Sequence, residues 1–176
     1  MEGRADDDTI SAELRRLLGR TVEALETSGA RTEALATYQL RRPILGVRRS
    51  PVMVPVERVW RLGVLLLDAR GRLFTTGSVT RAVDPGRVTN QNPRAEERRD
   101  YRRAAFQGKF AEGDTVNWDA VEIALDPASL RAGGGVVAER DGVLLVRWSA
   151  QAGADGYTPL APYLAERAEL LTAPPP

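Results

Sequence analysis

The stretch Glu57–Val83, ERVWRLGVLLLDARGRLFTTGSVTRAV, decides the fold class. Alternation puts Trp60, Leu62, Val64 and Leu66 on one face of a strand, and Leu65 and Leu67 on the other. A strand apolar on both faces belongs inside a sheet. Asp68, Ala69, Arg70 and Gly71 supply a turn, with Gly71 free to take the left-handed conformation. Residues 72–82 then return as a second strand, so the chain is built around an antiparallel hairpin.

Toward the N-terminus, residues 9–28 have helical periodicity, with Ile10, Leu14, Leu17, Leu18, Thr21 and Leu25 on one face. Asp6, Asp7 and Asp8 suit the positive end of that helix, and Gly29 suits its stop. A short second helix is expected over 32–40, ending before Pro43. Prolines at 43, 51 and 55 argue against a regular central strand here. An extended connector is expected instead, or an edge strand around Val52–Val54.

Toward the C-terminus, residues 84–93 read as a turn-rich loop, and a helix runs from near Pro93 to Gln107. A third strand covers 115–126, with Val121, Ile123 and Leu125 alternating. Residues 133–149 form a second hairpin, turning at Asp141-Gly142. A last helix follows over 160–171, with Pro162 in its first turn and Leu160, Leu164, Ala168 and Leu171 on one face. The fold expected is α+β: a mostly antiparallel sheet of about five strands, two hairpins plus one strand, with an N-terminal, a middle and a C-terminal helix. The 176 residues suit a single domain, 1–176, with 1–8 and 172–176 as disordered tails.

Composition removes several chemistries. There is no cysteine and no histidine. Disulfides, a cysteine nucleophile, cysteine-bound zinc or iron–sulfur clusters, and the commonest general base are all excluded. No cofactor and no metal site is expected. No apolar run approaches the ~20 residues of a membrane span, and the acidic start MEGRADDDT lacks the cationic and apolar parts of a secretory signal. The expectation is a soluble, cytoplasmic protein without a membrane partner.

The net charge of +1 hides an asymmetry. Residues 41–110 carry sixteen cations and six anions, net +10, while 1–40 carry −3 and 111–176 carry −6. On the helix at 93–107, Arg94, Arg98 and Arg102 form a row at spacing four, and Arg99 and Arg103 an adjacent row. Glu96 and Asp100 offset part of the repulsion at spacing three, and Ala95, Tyr101, Ala105 and Phe106 remain for packing. The excess needs an acidic segment of the chain or an external anion. Arg94, Arg98, Arg99, Arg102 and Arg103 are therefore the candidate anion-binding residues, with Arg48 and Arg49 as a second group. Arginine outnumbers lysine 24 to 1, so a solvated, internally paired helix explains the same residues.

Nucleic acid is disfavoured as the partner. Neither a helix-turn-helix nor a basic helix feeding a zipper is present. Trp60, Phe74, Trp118 and Trp148 read as core, whereas RNA platforms need exposed aromatics. No GxSxG elbow, no Ser-x-x-Lys and no GxxxxGK[ST] loop occurs. Asp68, Asp84, Glu112, Asp114, Asp119 and Glu122 are left as candidates for an acid/base pair, each with an ordinary structural reading as well.

The hairpin resembles the opening hairpin of Nudix hydrolases, but the glutamate-rich metal-binding box of that family is missing. The segments VMVPVERVWRLGVLLLDARGRLFTTGSVTRAV (52–83), AEERRDYRRAAFQGKF (95–110) and VNWDAVEIALDPASL (116–130) resemble a family of small, uncharacterised actinobacterial proteins, over most of residues 45–170. Some members are labelled glutaminase. The label implies an amidohydrolase, and no catalytic residue can be carried over. The sequence therefore points to a non-enzymatic interaction or anion-binding module. The alternatives are an amidohydrolase or other carboxylate-based hydrolase, and a homo-oligomeric structural protein joined through an edge near Val52–Val54. The partners left open are an anionic ligand, a protein, or a second copy of the chain.

Overall fold

A computed structural model describes residues 2–43, 49–86, 92–149 and 156–173. The described residues form four helices and nine strands, an α+β fold. The chain divides into two compact units, one of residues 1–31, 60–75 and 122–176, the other of residues 32–59 and 76–121.

In the first unit, helix α1 (Glu2–Thr27) takes in residues 2–8, which the sequence set apart as a tail. Its expected apolar face is buried in full, from Ile10 to Leu25. The end of strand β2 (Val52–Leu62) leads through Gly63 and Val64 into β3 (Leu65–Asp68), which pairs antiparallel with β4 (Leu73–Thr75). The uninterrupted strand expected through Trp60–Leu67 is thus broken. Gly63 has φ 64°, a left-handed conformation that turns the chain after Leu62. Helix α3 (Pro127–Ala132) follows an Asp126 N-cap, whose carboxylate accepts from Ser129 N at 3.0 Å. Strands β7 (Val137–Arg140) and β8 (Val143–Arg147) form the second expected hairpin, with Asp141 at φ 51° and Gly142 at φ 78° as a type I′ turn requires. Strand β9 (Tyr157–Pro159) adds to β8, and α4 (Leu160–Thr172) follows. Leu160, Leu164 and Ala168 are buried with α1, β3 and β8 in one core. Fully burying a leucine there is worth about 2 kcal/mol. Residues 174–176 of the expected tail lie outside the described residues.

In the second unit, β1 (Glu33–Gln39) stands where the short helix over 32–40 was expected. Its sequence also alternates, with Ala34, Ala36 and Tyr38 on one face. Distant partners on both sides decide the matter: β2 pairs antiparallel with it from Glu33↔Val59 to Gln39↔Val52, and β6 (Thr115–Trp118) pairs parallel at Ala34↔Val116. Pro55 is tolerated inside β2 because the register shifts beside it. Leu35 faces Glu57 and Ala36 faces Pro55, leaving Val56 unmatched. The second strand expected over 72–82 divides at Thr76-Gly77. Its latter part, β5 (Ser78–Arg81), leaves β4 and pairs with β6. A Cβ on Gly77 would overlap the Trp118 and Asp119 carbonyls, so the close approach requires glycine. The third strand expected over 115–126 ends at Trp118, where Asp119 takes φ 58°. Helix α2 (Pro93–Phe106) forms as expected.

The strand order is β4-β3-β2-β1-β6-β5, with β7-β8-β9 as a separate sheet. The principal sheet therefore has six strands of mixed direction, not about five antiparallel ones. The difference arises from β1, whose pairing with β6 is parallel and bridges about eighty residues of sequence. Among the described residues no helix is long and apolar enough to cross a membrane.

Candidate anion-binding face

Asn92 caps α2 by accepting from Arg94 N at 3.1 Å, and Pro93 occupies the first turn, where its missing N–H costs nothing. Ala104 and Ala105 are buried with Ala34, Ala36, Met53 and Val116, so the helix lies close on the sheet through small side chains. Tyr101 stacks at 4.3 Å from the Trp118 ring and meets Tyr38 edge-on at 5.6 Å. Phe106, expected on this packing stripe, is exposed. The Tyr101 hydroxyl donates to Glu97 at 3.1 Å, which holds its pKa above the usual tyrosine value. Tyr38 is raised too, by burial and then by the charge of Asp100.

This seating separates the two arginine rows. Arg99 is half-buried and donates to the Gly86 carbonyl at 2.7 Å, and Arg103 lies 3.6 Å from Asp100. Arg94, Arg98 and Arg102 stay exposed, and no carboxylate pairs with any of them among the described residues. Arg98 and Arg102 form, with Tyr101, one wall of a cleft of about 300 Å³. Val79, Thr80, Arg81 and Val83 form the other. Arg81 belongs to the basic segment 41–110, but nothing in its spacing signals that β5 runs beside α2.

The other basic groups lie elsewhere. Arg48 is outside the described residues. Arg49 is exposed and sits with Arg41, Ser50 and Gln107 around a separate concavity of about 440 Å³ at the C-terminal end of α2. Arg58 is engaged internally, donating to Thr32 Oγ1, to the Thr32 carbonyl and to Asp114 Oδ2 at 2.8–3.1 Å.

The carboxylates hold turns and caps. Asp68 is fully buried and accepts from Arg70 N, Arg72 N and Arg72 Nε at 2.7–2.9 Å. Asp84 accepts from Gly86 N, and Asp114 from Ala111 N. Glu122 lies 3.8 Å from Arg72. Among the described residues no three acidic side chains cluster as a metal site would require. Trp60, Phe74 and Trp118 are buried as expected, whereas Trp148 is 53% exposed, just past the end of β8. No protein-family model, no curated protein and no solved structure matches this chain.

Proposed function

We propose that this protein is a binding module that holds an anionic group of its partner between α2 and β5. The observation that carries this reading is the pair Arg98 and Arg102. They stand one turn apart on the wall of a cleft, without carboxylate partners among the described residues. Two guanidiniums at that spacing create a local positive potential that an incoming carboxylate, phosphate or sulfate would neutralise. Thr80 adds a hydroxyl group to the cleft lining.

Retention on immobilised heparin, eluted with a salt gradient, tests this reading. The wild-type chain should be retained, and R98E/R102E should elute at once while keeping its circular-dichroism spectrum. Both side chains are exposed, so the double charge reversal leaves the core intact. Unchanged retention of the variant removes this cleft as the anion site.

A further inference from the structure

We infer that the anionic partner is a protein segment, an extended acidic peptide that adds to the free edge of β5. The inference rests on the anion-binding reading of Arg98 and Arg102 given above.

The first observation is the edge itself. The six-strand order ends in β4 on one side and in β5 on the other. The β4 side is covered: Phe74 bridges Glu122, and Ile123 N donates to the Leu73 carbonyl at 2.8 Å. Among the described residues β5 has one strand neighbour, β6, and no strand or bridge beyond it, although α2 packs beside it. Unpaired strand edges are templates for another strand, and natural edges are usually blunted by proline, bulges or several charges. β5 has no proline, carries only Arg81 as a charge, and leaves Val79 50% exposed.

The second observation is the spacing across the cleft. Arg98 and Arg102 are separated along the helix by about 6 Å. Alternate side chains of an extended chain are separated by about 6.7 Å. Where an added strand runs along α2, the spacing of acidic residues on one of its faces matches that of the two arginines. The intervening residues face the other way, on the side of β5 that carries Val79 and Arg81. A strand-and-helix groove of this kind takes affinity from main-chain hydrogen bonds and selectivity from alternate side chains. The four residues of β5 would pair with about four of the peptide, written acidic–apolar–acidic–apolar.

Fluorescence anisotropy with a labelled heptapeptide alternating glutamate and valine tests the inference. Two further versions of the peptide are N-methylated at alternate amides, one at the glutamates and one at the valines. The glutamates fix which face of the strand meets α2, and for a given strand direction one set of amides then points at β5. The parent peptide should bind, R98E/R102E should abolish binding, and one methylated version should lose about tenfold or more while the other stays within about twofold. Equal binding by both methylated versions, or equal loss by both, overturns strand addition. So does failure of the parent peptide to bind a chain that heparin retains, and the anion reading then survives. Loss of the difference between wild type and R98E/R102E on heparin overturns both readings. An oligothymidylate that binds more tightly than the peptide and displaces it overturns the inference in favour of nucleic acid.

Discussion

The hydroxyl of Tyr163 occupies the space where Gly63 would carry a side chain. It accepts from Val64 N at 2.9 Å and donates to the Leu62 carbonyl at 3.2 Å, closing both sides of the turn between β2 and β3. Gly63→Ala meets this oxygen and also strains a backbone at φ 64°, so a cost of about 3 kcal/mol is expected. Tyr163→Phe removes the acceptor for Val64 N and costs about 1–2 kcal/mol. The double variant lacks the oxygen that the new methyl would strike, so its loss should be smaller than the sum of the two. Urea unfolding midpoints of the four proteins measure this, and strict additivity would contradict it.

Asp68 organises the next turn. Its removal leaves the Arg70 and Arg72 amides without their acceptor, while Arg72 itself, 34% exposed, can be rehydrated. Asp68→Ala should therefore cost about 2–3 kcal/mol, chiefly through the orphaned amides. Arg72→Ala takes one partner from the fully buried Asp68 carboxylate but leaves its two amide donors, so it should cost less, about 1–2 kcal/mol. Equal losses for the two in chemical denaturation would mean that the ion pair, not the amide contacts, holds the turn.

The Asn92 cap supports the arginine row. Asn92→Ala should cost about 1 kcal/mol and fray the first turn of α2, next to Arg94. Hydrogen exchange should speed up in residues 93–96 and stay unchanged in α4. Protection that does not change at the start of α2 would show that the cap carries no weight.

Asp126 gives a pH signature. Hydrogen bonds from Ser129 hold its carboxyl below the usual aspartate range. A folded-state pKa below the unfolded value means that the contribution to stability is present above the unfolded value and is lost as pH falls through the folded one. An NMR titration should place the Asp126 midpoint below that of an aspartate in an unstructured peptide. Asp126→Asn removes this titration and should flatten the acid side of the stability profile.

Elements governed by local rules were legible in the sequence. The stripe of α1, the Asp141-Gly142 turn, the proline start of α2 and the face of α4 each depend on residues a few positions apart, and each forms as read. The misreadings of the sheet involve distant partners. Residues 32–40 have weak preferences, and β1 becomes a strand because β2 and β6 flank it. Gly63 could have sat inside a strand or turned it, and the choice is tied to Tyr163, a hundred residues later. The arginine row on α2 was visible by spacing. The cleft was not, because its second wall is β5, placed there by pairing with β6.

The order of the two units' segments along the chain sets an order for biosynthesis. Residues 32–59 and 76–121 leave the ribosome before the last fifty-five residues, which α1 needs to cover Leu14, Leu18 and Leu25. At about 10 residues per second, that leucine face waits on the order of ten seconds for α4. A nascent chain stalled after Val121 would hold every residue of the second unit and a first helix whose leucine face is still uncovered.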